Sequence, residues 1–366
     1  MSTENKTDVR MPDEGSLLVS SSPHLHAKQD VQAIMALVMI ALMPATFAGM
    51  YFFGKDAILV VVQCVVFCVL AEMVWCKFAG KPMSTVRDCS AAVTGLLLGL
   101  NLSACAPWWL CLIGALLAIW LGKQVFGGLG HNPFNPCLVA RVALLIGFPK
   151  YMTTWVPTSW MKSTPLNSYS QMFNISHSTF VDGMTCATPL GEIKTALESG
   201  GAEHIAQLSS GSAYWNYFIG NVGGCIGETS ALALLVGGII LLCLRLIKWQ
   251  VPVAYLGTVA IFTWGMNLYN PGVYAPPLFH LLTGGLIIGA FFKATDMVTS
   301  PMTNLGAFIF GIGCGVITCV IRLFCNYPEG VSFAILFMNA LVPLIDRFAR
   351  TKPFGFMAKE PVEGGC

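Results

Sequence analysis

The chain has 366 residues, 55% of them hydrophobic and only 10% charged, with a mean hydropathy of +0.69 and a formal net charge of +2. Soluble domains carry about 25% charged residues, so this composition describes an integral membrane protein, and the near-zero net charge excludes a basic nucleic-acid-binding surface. Fourteen cysteines occur without any CxxC pair, which argues against a four-cysteine zinc or iron–sulfur site; Cys64, Cys68, Cys111, Cys314 and Cys319 lie in apolar runs, where cysteine acts as a small hydrophobe.

Residues 1–30 contain no apolar core of signal-peptide length and are expected to stay in the cytoplasm. Apolar runs close to the roughly 20 residues that cross a bilayer follow at 31–53, 57–76, 89–105, 107–126 and 134–149. Residues 150–213 are polar. Beyond them the runs recur at 214–247, 251–269, 274–292, 303–325 and 331–349, before a basic tail at 350–366. The stretch 214–247 carries "GNVGGCIGETS" in its middle and reads as one long helix or as a re-entrant piece followed by a helix. Taken as one crossing, it makes ten spans, five on each side of the polar segment.

With the N-terminus inside, fourteen of the 20 Lys and Arg residues fall in segments expected to be cytoplasmic, among them Lys77, Lys81, Lys123, Arg245, Lys248, Lys293 and Arg347. Five fall on the other side: Lys55, Lys150, Lys162, Lys194 and, at a helix end, Arg322. That asymmetry obeys the positive-inside rule and puts 150–213 outside, with both termini in the cytoplasm. "VTGLLLGLNL" (93–102) resembles "LTGGLIIGAFF" (282–292), and each opens the third span of its half. An odd number of helices per repeat inverts the second copy. The expected fold is therefore an all-α polytopic membrane protein of about ten transmembrane helices. They form two inverted five-helix repeats, 31–149 and 214–349, with interrupted helices, an arrangement that places binding sites near the midplane.

The clearest interruption is "GGLGHNPFNPCLVAR" (127–141), whose prolines and glycines cannot continue a regular helix. It predicts a half-helix starting near Phe134 with its N-terminus pointing into the protein. Asn135 in this break, Arg141 one turn beyond it, and Glu228 in "GCIGETS" are the candidates for an ion path or a cofactor site, because ionisable groups within spans are functional by default. Arg141 is suited to pair with an acid or to hold an anionic group. Glu72, Asp296 and Asp346 are expected near the cytoplasmic interface, satisfied by water or by Lys77, Lys293 or Arg347. His280 is expected to be a hydrogen-bonded core histidine.

"SSPHLH", "TGLLLGL", "GGLGHNPFNP", "DGMTCATPL", "HLLTGGLIIGAFF", "TDMVTSPMTN" and "YPEGVSFAILFMNALVPLIDR" together resemble the NqrB/RnfD family, in order from residue 21 to about 349. Its members are membrane subunits of the sodium-pumping NADH:quinone reductase and of the Rnf complex, and the short N-terminus here is nearer the RnfD branch. The resemblance implies that a flavin transferase recognises an Asp-x-x-Ser/Thr-x-Ala-Thr string and moves FMN from FAD onto its last threonine as a phosphoester. Asp182, Thr185, Ala187 and the acceptor Thr188 meet that pattern, with Cys186 where many members have Gly. Pro189 is expected to hold Thr188 extended and accessible. Without the resemblance the same string reads as an Asx or Ser/Thr turn.

The resemblance further implies a multi-pass subunit in a prokaryotic cytoplasmic (inner) membrane. It would not be catalytic alone, and it would work among other Rnf-type membrane and iron–sulfur or flavin subunits to couple ferredoxin/NAD redox chemistry to Na⁺ or H⁺ translocation. It also implies a second, non-covalent flavin, riboflavin, near the broken segment. Two alternatives compete: an NqrB-type subunit that reduces quinone, and a urea-channel-like transporter without a redox role, since fold does not decide function. The flavin motif separates the channel from the redox subunits.

Overall fold

A computed structural model describes residues 30–158, 186–198, 205, 207–325, 327 and 329–349. Both tails, and Asp182 and Thr185 of the flavin motif, lie outside the described residues. The described chain is helical, with one isolated bridge between Trp155 and Cys186. In chain order the helices are α1 (Val31–Phe53), α2 (Lys55–Phe78), α3 (Ser90–Leu100), α4 (Trp108–Leu116, continuing in π-helical turns to Gln124) and α5 (Pro136–Gly147). Then come α6 (Pro189–Glu198), α7 (Gly211–Ile219), α8 (Ala231–Cys243), α9 (Gln250–Tyr269), α10 (Pro277–Leu282), α11 (Asn304–Phe324) and α12 (Val331–Phe348).

Five of these, α1, α2, α9, α11 and α12, are long and apolar enough to cross a membrane, and α3, α4, α5 and α8 are shorter apolar helices. Large apolar side chains stand exposed along them, such as Ile40 and Phe47 on α1, Val62 and Leu70 on α2 and Ile261 and Leu268 on α9, a surface suited to lipid rather than to water. Inside, small residues let backbones approach closely, as in membrane helix pairs generally. A Cβ on Gly237 of α8 would collide with the Ala41 carbonyl oxygen of α1, so these two helices pack in contact only because that position is glycine.

The helices break where the sequence lacks the means to continue them. The stretch 214–247 is two helices, α7 and α8, joined by coil 220–230, and Ser230 restarts the chain by accepting from the Ala233 N–H at 3.2 Å. The predicted half-helix after "GGLGHNPF" begins at Pro136, capped by the Asn135 side chain, which accepts from the Cys137 N–H at 3.1 Å. The corresponding region of the second half breaks after α10 at Thr283–Gly285 and resumes through Leu286–Ile288 into a π-helical turn, Gly289–Lys293. These interruptions lie within the packed protein, where exposed backbone finds partners.

Candidate functional site

The segment before α6 is pinned by its backbone: the Cys186 N–H donates to the Trp155 carbonyl at 3.0 Å. Thr188 follows and caps α6. Its carbonyl accepts from the Glu192 N–H at 2.9 Å, and its Oγ1 accepts from the Gly191 N–H at 3.2 Å. Pro189 occupies the first helical position, where its missing N–H costs nothing. Thr188 is therefore a buried N-cap, 8% exposed, and the expectation of an accessible hydroxyl is corrected. Burial arises because Leu190 plugs into a small apolar cluster with Ile193, Tyr217 and Phe279. One turn into α6, burial pushes the Glu192 carboxyl up to about 7.

Thr188 opens onto a cavity of about 20 Å³ lined also by Gly223, Gly224, Glu228, Thr283, Gly284 and Glu329. Behind it the broken helices bring together a polar network. Arg141 on α5 donates to Asn101 Oδ1 at 2.7 Å, to Glu228 Oε1 at 3.0 Å and to Glu329, and its Nη2 contacts Cys225 Sγ at 3.4 Å. Lys293, fully buried in its π-helical turn, donates to the same Asn101 oxygen at 2.5 Å. Asn101 in turn donates to the Leu97 carbonyl and Cys137 Sγ, and Asn135 reaches the Lys293 carbonyl at 3.3 Å. Coil 220–230 docks on the end of α3 through Ile226 and Gly227 N–H groups donating to the Leu102 and Leu100 carbonyls.

The candidates Arg141, Glu228 and Asn135 thus belong to one cluster, and Glu228 also shares a cavity with Thr188. The ligand atoms of Cys225, Glu228 and Glu329 lie within 4.8 Å of one another, but Arg141 contacts all three and supplies the cation there. Glu329 sits in the loop before α12, where burial pushes its carboxyl up to about 7 against the pull of Arg141. Sequence reading missed Asn101, Lys293 and Glu329. Asn101 was visible only as the polar end of "GLLLGLNL", and the other two stand at the ends of apolar runs, where charged residues ordinarily face water.

Three expectations near this site change. Lys293 does not pair with Asp296, which accepts from Thr299 instead. Arg322 is not at the surface: it is 5% exposed and donates to the His280 and Thr283 carbonyls at 2.7 and 3.2 Å, satisfying the broken end of α10. Among the described residues the His280 ring, 4% exposed, has no hydrogen-bond partner on either nitrogen, and Arg322 Nε has none either.

At the opposite end of the bundle, Glu72 is 1% exposed and pairs with Lys123, which also donates to Ser90 Oγ at 2.7 Å; Gln124 donates to the same Glu72 oxygen at 2.9 Å. Lys123 rather than Lys77 pairs with Glu72, because α2 turns it inward onto α4. Asp346 accepts from the Met302 N–H at 3.1 Å rather than pairing with Arg347. Lys123 borders a cavity of about 110 Å³ whose walls include Thr94, Asn132, Asn135, Phe292 and Thr295. Asn132 Oδ1 is buried there without a donor among the described residues.

The sequence profile of the NQR2, RnfD, RnfE family matches residues 18–355. The chain belongs to this family. It is 42% identical, over 91% of its length and 94% of the relative's, to the D subunit of the ion-translocating oxidoreductase complex of Stutzerimonas stutzeri. It is 42% identical to the D subunit of the Na(+)-translocating ferredoxin:NAD(+) oxidoreductase complex of Acetobacterium woodii, over 93% of this chain and 96% of that one. The D subunit of the proton-translocating ferredoxin:NAD(+) oxidoreductase complex of Clostridium ljungdahlii is 41% identical over 92% and 96%. Membership in the NQR2, RnfD, RnfE family agrees with the multi-pass helical architecture and with the resemblance read from the sequence.

Proposed function

We propose that the chain is the flavin-carrying membrane subunit of an Rnf-type ion-translocating oxidoreductase, with FMN attached to Thr188. The observation that carries this reading is the shared cavity: the one threonine that completes the transferase pattern opens beside Glu228 and Glu329, the carboxylates of the buried network. In attachment, the Thr188 oxygen bonds the flavin-side phosphorus of FAD, the pyrophosphate bond breaks, AMP leaves, and the hydroxyl proton passes to solvent. The N-terminus of α6, whose first N–H groups point out of the helix, suits the phosphate of such an ester. The cavity is far below the roughly 300 Å³ of a typical ligand pocket, so it would hold at most the phosphoester end of the group. The buried N-cap implies that the transferase acts before α6 closes, or opens its first turn.

Once bound, the flavin supplies one- and two-electron transfer; Thr188 tethers it and Arg141 holds the two carboxylates in place. The larger cavity, about 110 Å³, is also below that size and would admit only the edge of the non-covalent riboflavin. For that edge the Asn132 oxygen, without a donor among the described residues, suits a ring N–H, and Phe292 offers an apolar wall. Ten spans in two inverted repeats, cytoplasmic termini and an outward 150–213 complete the reading. Lys123, Lys293 and Arg322 are buried and drop out of the charge count, and the remaining asymmetry, fourteen less two against five less one, keeps its sign. Relatives named for Na⁺ and for protons are 42% and 41% identical, so the choice of ion rests on individual side chains.

The test is covalent flavin itself. Co-produced with the transferase, the denatured chain should run as a flavin-fluorescent band, and Thr188→Val should abolish the fluorescence while the protein still inserts. A dark wild-type band, or a bright Thr188→Val band, reduces the motif to a turn and favours a channel.

A further inference from the structure

Three cations are buried around the Thr188 cavity, and their partners are unequal. Arg141 holds both carboxylates, Glu228 and Glu329. Lys293 rests on Asn101 Oδ1 beside Arg141. Arg322 hydrogen-bonds to the carbonyl oxygens of His280 and Thr283, and among the described residues no carboxylate lies within ion-pair distance of it. Carbonyl dipoles satisfy N–H groups but leave the charge without a directly paired anion, Glu228 and Glu329 acting on it only from a distance, and an unpaired buried charge is costly. Glu192, the remaining acid near Thr188, has its carboxyl pushed up to about 7 and forms no ion pair among the described residues. Three ionised acids would balance the three cations in number, and protonation of Glu329 or Glu192, both pushed up to about 7, leaves a positive excess.

Arg322 lies directly behind the cavity wall. A Cβ added to Gly284 would come within 2.9 Å of Arg322 Nη2 and within 2.7 Å of Leu190 Cδ1. The guanidinium and the side chain of the residue two positions after Thr188 therefore converge on the space this glycine leaves open. Thr188, Thr283 and Gly284 all line the same cavity. Among the described residues Arg322 Nε is a further N–H donor without an acceptor, and the His280 ring beside it has no hydrogen-bond partner.

We infer that Arg322 is the buried counter-charge for a phosphodiester on Thr188, so that attaching the phosphate supplies the anion this end of the protein lacks. The inference rests on the flavinylation reading. A threonine hydroxyl is neutral and a phosphodiester carries one negative charge, so attachment changes the local charge by one. Attachment then stabilises the folded chain, through Arg322 in particular, which is a positioning residue rather than a catalytic one.

The experiment uses the full chain, purified with and without co-production of the transferase, as wild type, Arg322→Lys, Arg322→Gln and Glu329→Gln. Fluorescence of the denatured band reports attachment, and the thermal unfolding midpoint reports stability. Attachment should raise the midpoint of wild type and of Arg322→Lys by a few degrees. In Arg322→Gln the gain should fall to roughly half or less, as expected for coupled sites. Glu329→Gln removes one competing negative charge and should enlarge the gain. Equal gains in wild type and Arg322→Gln, with both bands bright, overturn the role of Arg322 alone. If Arg322→Gln does not assemble, a Glu329→Gln gain no larger than wild type overturns it instead. A dark wild-type band overturns attachment, and this inference with it.

Discussion

Replacing Arg141 by methionine keeps the bulk of the side chain and deletes the cation that four groups share. Glu228, 8% exposed, then loses its one cationic hydrogen-bond donor among the described residues, Glu329 loses its ion pair, and Asn101 Oδ1 keeps only Lys293. Removing one partner of a buried pair costs about 3–5 kcal/mol. Glu228→Gln is milder, because an amide oxygen still accepts from Arg141; exchanging a charged for a neutral hydrogen bond costs roughly 1 kcal/mol. At about 2 °C per kcal/mol for a chain of this size, Arg141→Met should lower the unfolding midpoint in detergent by about 6–10 °C and Glu228→Gln by about 2 °C. The double variant should fall short of the sum, because an amide at position 228 leaves no stranded charge there. Since membrane proteins unfold irreversibly, midpoints must be compared at one heating rate. Equal shifts for the two single variants, or strict additivity in the double, would refute the shared-cation account.

Glu192→Gln should stabilise the chain increasingly as pH rises. Its carboxyl is pushed up from 4.5 to about 7, so the wild type carries full stability below 4.5 and loses it through pH 7; an advantage of Gln that shrinks between pH 5 and 8 contradicts this. Gly237→Ala should separate α1 from α8 and cost about 1–3 kcal/mol as overpacking, so unchanged stability would mean the backbone contact at Ala41 is not tight. Exposed Cys325 should react with a membrane-impermeant thiol reagent in intact cells, and Cys89 only after lysis; peptide mapping with the opposite order would reverse the orientation. If Glu228 belongs to the ion path, Glu228→Gln should reduce coupled ion transport with covalent flavin content unchanged, and normal transport in an assembled complex removes it from the path.

Much of this protein was written along the chain. Hydrophobic run length located the long helices such as α1 and α9 to within a few residues, because a stretch such as 31–53 has too little polarity to be anything but a buried or lipid-facing helix. The runs 214–247 and 274–292, by contrast, each divide into shorter pieces. Proline and glycine marked the breaks: "GGLGHNPFNP" announced a half-helix, and Asn135 and Pro136 started it as local capping chemistry requires. The Asp182–Thr188 string and its neighbouring motifs carried the family resemblance without any tertiary information. What tertiary structure alone decided is where charge goes once helices pack. Lys123, Lys293 and Arg322 stand at the ends of apolar runs, positions that face water in an isolated helix, and whether such a side chain reaches solvent depends on which element covers it. Here α2 and α4 face each other and bury Glu72 against Lys123, and the broken end of α10 draws Arg322 inward with two free carbonyls. The meeting of Asn101, Arg141, Glu228 and Glu329 spans residues far apart in the chain, and local periodicity holds no record of which interrupted helix ends will share a cavity. Thr188 shows both sides at once: its motif is local, while its burial comes from Leu190 closing onto Gly284.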